Sequence, residues 1–189
     1  MVTIIPTWDL FILIFVVLII TYSFIIGRDQ TVKITIATYV ALLTADGIGN
    51  LMGQYIFGLE PIHPILVDAG VGGFENNYVA VAKVVAFSLL LIVLMLKGNF
   101  AADIDDGDSS LISLGITTVL GFLSSILIVC VVLVFISNGS FLMGLSSGTS
   151  DIAKSIYEQS MFARILIDYM SVWFILPALA FIIGSLSSE

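Results

Sequence analysis

Charged residues are scarce in this chain of 189 residues, where Lys, Arg, Asp and Glu together make up 11%. An average soluble domain carries about 25%. A compact water-soluble fold of this size would lack the charges to cover its surface. Apolar residues make up 59% of the chain and the mean hydropathy is +1.17. The composition therefore predicts an integral membrane protein.

Basic residues, cysteine and histidine are also few. The formal net charge is −8, whereas nucleic-acid binding and electrostatic lipid anchoring both need clustered Lys or Arg. The single cysteine, Cys130, lies in an apolar run and gives neither a disulfide framework nor a metal-type spacing. The single histidine, His63, cannot form a metal site alone. We therefore predict no metal, no cofactor and no nucleic-acid partner.

Five apolar runs predict helices that cross a bilayer, because an isolated strand in lipid would leave its backbone unpaired. The predicted spans are 9–27, 32–54, 77–97, 110–137 and 169–185, with an amphipathic helix at 151–167 along the membrane surface. Asp9 is predicted to cap the start of the first span, and "GRDQ" at 27–30 is predicted to form a tight polar turn before the second. The last run is short and contains Pro177, so it either spans with a kink or is re-entrant. The predicted fold is all-α, with four to five transmembrane helices, one interfacial helix and a single membrane domain, 1–189.

The distribution of Lys and Arg predicts the orientation. Arg28, Lys33 and Lys97 flank the first and third connections, which places both in the cytoplasm and the N-terminus outside. Lys154 and Arg164 then fall on the outer side and oppose this assignment.

A polar face interrupts the second span in the stretch "LLTADGIGNLMGQ". Asp46, Asn50 and Gln54 are four residues apart and share one side of a helix. A charged Asp at a span centre costs about 2.5 to 3.5 kcal/mol on insertion scales, so it needs a partner, trapped water or protonation. Lys83 is the nearest candidate by topology, although its place near the start of span three lets it extend to the headgroups. Two interpretations stay open: an ion- or proton-handling face, or residues near the headgroups, hydrated or hydrogen-bonded across helices.

Small residues recur along the fourth span. Ser113, Thr117, Gly121 and Ser125 are spaced by four, and such a ladder lets helix backbones approach closely. It predicts tight helix packing, within the chain or between copies.

Two patterns that suggest chemistry are better explained as loops. "GLSSG" at 144–148 matches a nucleophile elbow, which has meaning only in an α/β sheet. "DIDDGD" at 103–108 is similar to a calcium loop, but Gly107 stands at the fifth position instead of the sixth. We predict no catalytic residue and no enzymatic activity.

The order of these parts resembles that of the CvpA family, the colicin V production proteins of bacterial inner membranes. Asp9 opens an apolar run that ends at Gly27 and Arg28, and the fourth span carries Gly115 and Gly121 before a long apolar run. The amphipathic segment and the closing "WFILPAL" are similarly placed. The resemblance implies a small multi-pass protein linked to toxin production and envelope upkeep, with no established catalytic residue set.

Two functions are consistent with these observations. The first is a non-enzymatic inner-membrane protein of CvpA type, which works through helix packing and contacts with partners: the bilayer, further copies or other membrane proteins. The second is a small channel or transporter subunit that uses the face of Asp46, Asn50 and Gln54.

Overall fold

The structure is a computed structural model that describes residues 7–56, 78–98, 110–142 and 151–186. All regular secondary structure in these ranges is helical, so the predicted all-α fold is confirmed. The helices are α1 (Trp8–Ile26), α2 (Arg28–Leu51, followed by a π-helical turn at Met52–Ile56), α3 (Tyr78–Lys97), α4 (Ser110–Ile136), α5 (Asp151–Gln159), α6 (Met161–Asp168) and α7 (Met170–Leu186).

Four of these helical segments are long and apolar enough to cross a membrane: Trp8–Ile26, Arg28–Tyr55, Tyr78–Lys97 and Leu114–Ile136. A fifth arises if α6 and α7, which meet at a bend of 71°, form one broken span. Large apolar side chains face outward along α1, where Phe11, Leu18 and Ile25 are each more than half exposed. The structure thus agrees with the prediction of four to five membrane-spanning helices.

The connection between α1 and α2 is shorter than the predicted polar turn at 27–30. Gly27 alone forms it, with φ at 83°, and its N–H donates to the carbonyl oxygen of Ser23. The left-handed backbone is accessible to glycine without strain, so α2 begins directly at Arg28. A single residue therefore joins the two helices.

Helix α4 is the most enclosed of the spans and forms the centre of the bundle. Its side chains Ile128, Val131 and Phe135 pack with Ala45 of α2 and Phe87 of α3. The ring centroids of Phe87 and Phe135 lie 6.1 Å apart in an edge-to-face arrangement. This apolar core holds α2, α3 and α4 together.

The packing face predicted on α4 lies against other helices of the same chain. Thr117, Gly121 and Ser125 are buried, while the side chain of Ser113 lies outside the described part of the structure. A Cβ atom added at Gly121 would lie 2.8 Å from Oγ and 2.9 Å from Cβ of Ser23 on α1. Glycine at this position therefore sets how closely α1 and α4 approach.

We expect Gly121→Ala to destabilise the bundle by about 1–3 kcal/mol, because overpacking forces neighbouring groups to shift. The added methyl group would meet Ser23. The free energy of unfolding in mixed micelles measures the effect, and Ser23→Gly in the same chain should recover much of it by removing the opposing atoms. A full-sized loss that Ser23→Gly leaves unchanged would contradict this contact.

The predicted amphipathic helix at 151–167 consists of two helices, because the regular structure breaks at Ser160. Ser160 Oγ accepts a hydrogen bond from the N–H of Ala163, as an N-cap of α6. Asp9 was expected to cap α1, but Thr7 holds that position. The carboxylate of Asp9 instead accepts from Ser160 Oγ and from the N–H of Phe162. This contact joins the start of α1 to the start of α6.

Several sequence patterns lie outside the described residues: His63, the acidic stretch at 103–108 and "GLSSG" at 144–148.

Candidate functional site

A buried ion pair joins α2 and α3. Lys83 Nζ lies 2.7 Å from Asp46 Oδ1, and the side chains are 3% and 0% exposed. Asp46 lies five residues before the end of α2, and Lys83 lies five residues after the start of α3. Because the two helices run in opposite directions, these positions meet at the same end of the bundle. The structure thus gives Asp46 the partner that its burial requires.

The second carboxylate oxygen of Asp46 accepts three hydrogen bonds from the segment that follows α4. The donors to Oδ2 are Ser140 Oγ at 3.0 Å, the N–H of Phe141 at 2.7 Å and the N–H of Leu142 at 2.9 Å. Hydrogen bonds to an ionised carboxylate are roughly twice as strong as neutral ones. Both oxygens of Asp46 are therefore engaged by groups of the protein itself.

The end of α4 has the geometry that brings these donors to Asp46. Asn138 has φ at 58°, the left-handed conformation, in which Asn is among the better tolerated residues. The N–H of Gly139 donates to the carbonyl of Val134 at 2.9 Å, and the N–H of Asn138 donates to that of Phe135 at 3.0 Å. This pair of bonds is a Schellman motif. It reverses the chain, so that the next three residues fold back toward α2.

Lys83 is held on several sides. Its ammonium donates to the carbonyl oxygen of Gly139 at 3.2 Å, and it lies 5.8 Å from the centroid of the Phe135 ring. Its aliphatic stem crosses the surface of α2 at Gly49, where an added Cβ would lie 2.9 Å from Cε and 3.1 Å from Cδ of Lys83. Only glycine leaves room for this stem. The expectation that Lys83 extends to the headgroups is therefore wrong, since the structure encloses it.

The three residues of the predicted polar face have different environments. Asn50 is half-buried, and its Nδ2 donates to Ser140 Oγ at 2.9 Å. Asn50 thus belongs with Asp46, Lys83 and the segment 139–142 to one group, here called the Asp46 cluster. Gln54 is exposed and lies in the π-helical turn that follows α2. This turn changes the angular progression of the helix, and Gln54 leaves the shared face.

Sequence reasoning did not identify the donors of the Asp46 cluster. Ser140, Phe141 and Leu142 fall in "SNGSFLMGLSSGTS", which has the composition of a flexible linker. A usable signal was present in Asn138 and Gly139, because Asn or Gly directly after a helix indicates a left-handed C-terminal cap. Such a cap predicts that the chain reverses. It does not predict which buried group the reversed segment reaches.

The Asp46 cluster connects α2, α3 and the segment after α4 through an ion pair and hydrogen bonds to the carboxylate. Isolated charges are expensive to bury, and the arrangement here compensates the carboxylate with one ammonium and three donors. It also gives the ammonium one carboxylate and one carbonyl oxygen. Such a group suits a fixed structural contact, or a site whose charges separate when the helices move.

No family model, no curated protein and no solved structure matches this chain. The fold and the site together describe a helical membrane protein with a charged cluster at one end of its bundle.

Proposed function

We propose that this chain is a non-enzymatic, multi-pass protein of the inner (plasma) membrane, of the CvpA type, that acts in toxin production or export and in envelope maintenance. Its partners are the surrounding bilayer and other membrane proteins or further copies of itself. The layout of the sequence supports this proposal, with Asp9, Gly27 and Arg28 around the first span and Gly115 and Gly121 in the fourth.

One structural observation carries the non-enzymatic part of the proposal. The charges of the Asp46 cluster are directed at one another: Lys83 binds Oδ1 of Asp46, and Ser140 and the backbone of Phe141 and Leu142 bind Oδ2. A carboxylate with both oxygens engaged in this way is poorly placed to bind a substrate. We infer that the cluster holds the bundle in shape, and that the protein works through its outer surface.

The alternative is a small channel or transporter subunit, and one observation favours it. Ionisable residues buried within membrane spans commonly mark ion or proton pathways. The pair of Asp46 and Lys83 is followed on α2 by the π-helical turn Met52–Ile56, and such turns are frequent at functional sites. In this alternative the pair opens and closes during transport, and its charges are essential.

A complementation experiment separates the two functions. The chain is expressed in a colicin V-producing bacterium that lacks its own CvpA-type protein, and toxin secretion and detergent resistance of the envelope are measured. The paired variant Asp46→Asn/Lys83→Met removes both charges while keeping side chains of similar size. We expect the native chain to restore both properties, and the paired variant to do so equally at the same membrane abundance.

Other outcomes of the same experiment contradict the proposal in different ways. Failure of the abundant native chain to restore either property would remove the CvpA-type role. An inactive paired variant at native abundance would show that the charges themselves are needed, and would favour the transport function. The single variant Asp46→Asn gives a further distinction between the two functions, since transport through the carboxylate should be lost whenever that charge is absent.

A further inference from the structure

A cleft opens at the end of the bundle opposite the Asp46 cluster. It lies between α1 and α3, both of which pack against α2, and its volume is about 240 Å³. Ile34 of α2 is nearly fully buried and forms its floor. The walls include Tyr22 and Ile26 of α1, Gln30 and Lys33 of α2, and Met95 of α3.

Two polar side chains of α2, Gln30 and Lys33, line the cleft. Gln30 and Lys33 lie in the first two turns of α2, with Lys33 about 7.5 Å along the helix axis from Arg28 at a rise of 1.5 Å per residue. The flexible lysine stem lets the ammonium reach the polar boundary. The remaining walls are almost entirely apolar. A ligand that fits both parts has an anionic head and a hydrocarbon tail.

The distribution of charge distinguishes this end of the bundle from the rest of the protein. With a formal net charge of −8, the protein has little general attraction for anionic molecules. Three of its six Lys and Arg residues, Arg28, Lys33 and Lys97, nevertheless lie at this one end, at the start of α2 and the end of α3. This end is the one predicted to face the cytoplasm, where the membrane leaflet is rich in anionic lipid.

We propose that the cleft binds an anionic phospholipid, with its phosphate at the ammonium of Lys33 near the polar boundary. One acyl chain runs inward from there along Tyr22 of α1 and Ile92 of α3, which also lines the cleft. Basic pockets between membrane helices on the cytoplasmic side are known to hold such headgroups. A second cleft gives an internal comparison: it has a volume of about 200 Å³ between α2, α4 and α7, and none of its lining residues is charged. We assign no anionic lipid to this second cleft.

Native mass spectrometry of the full-length protein in detergent tests the proposal, with phosphatidylglycerol and phosphatidylcholine of identical acyl chains as probes. We expect at least fivefold more bound phosphatidylglycerol at equal concentration. Lys33→Gln should reduce that preference to near unity. The matched control is Lys97→Gln, which removes the same charge from the same end of the bundle but at an exposed residue outside the cleft lining. It should change the preference less than twofold.

A larger side chain placed in the cleft tests the proposed position of the acyl chain. Ile92→Trp should reduce phosphatidylglycerol binding at least fivefold, whereas Ile36→Trp in the second cleft should leave it unchanged. Equal losses in Lys33→Gln and Lys97→Gln would overturn the proposal in favour of diffuse surface attraction. Equal binding of the two lipids would also overturn it, as would displacement by inorganic phosphate alone, since the proposed site needs the acyl chain.

Discussion

Replacing Lys83 by Met should destabilise the protein by about 3–5 kcal/mol, the range found when one partner of a buried ion pair is removed. The reason is the carboxylate that remains. Asp46 is fully buried, and without the ammonium its charge would keep only the donors from Ser140, Phe141 and Leu142. The free energy of unfolding, followed by tryptophan fluorescence in mixed micelles, measures the loss.

A matched lysine at the opposite end of the bundle supplies the control. Lys97 is exposed in the last turn of α3, and an exposed charge contributes on the order of 0–1 kcal/mol. Lys97→Met should therefore have little effect. If the two lysine variants lose the same stability, the buried ion pair does not stabilise the fold.

The paired variant Asp46→Asn/Lys83→Met should recover at least half of the loss caused by Lys83→Met alone. Replacing both members of a buried ion pair by neutral groups is often near neutral, because no uncompensated charge remains. The Asn side-chain oxygen can still accept from the N–H groups of Phe141 and Leu142, which now bind Asp46 Oδ2. This recovery also decides whether the paired variant is a fair probe in the complementation experiment, since a structural defect would otherwise imitate a loss of transport.

The spans could be predicted from the sequence because hydrophobic run length is a local property. Thr31–Ile36 alternates polar and apolar residues as a strand would, yet it is helical, because lipid leaves an isolated strand unpaired. The connection at Gly27 is a local feature that was not predicted correctly. The polar residues at 27–30 predicted a four-residue turn, whereas Gly27 alone, with a positive φ, connects α1 to α2.

The candidate site could be predicted only in part, because its partners are distant along the chain. The spacing of Asp46 and Asn50 identified one side of the cluster. The cost of a charged Asp within a span predicted a partner, trapped water or protonation without deciding among them. The donors lie more than 90 residues away, at Ser140 to Leu142. Their position depends on how α4 packs against α2 and on the reversal at Asn138. Neither is encoded in the local pattern around Asp46.

Gly49→Ala should be the second most disruptive change, with an expected loss of about 2–4 kcal/mol from overpacking together with a weakened ion pair. The new methyl group would collide with the stem of Lys83, and the ammonium could then no longer reach Asp46 at its present distance. In an unconstrained helix the same change should instead be favourable, since Ala exceeds Gly in helix propensity by about 0.8–1.0 kcal/mol. The predicted loss thus depends on one contact.

Gly115 of α4 is the matched control for this prediction, because it is exposed and a Cβ added there meets no atom within 4 Å. Gly115→Ala should be neutral or slightly stabilising in the same unfolding measurement. The loss from Gly49→Ala should also shrink by at least about 1 kcal/mol when Lys83 is Ala and Asp46 is Asn, since residues in contact are not additive. Equal effects of Gly49→Ala in both backgrounds would mean that the glycine serves a purpose other than making room for Lys83.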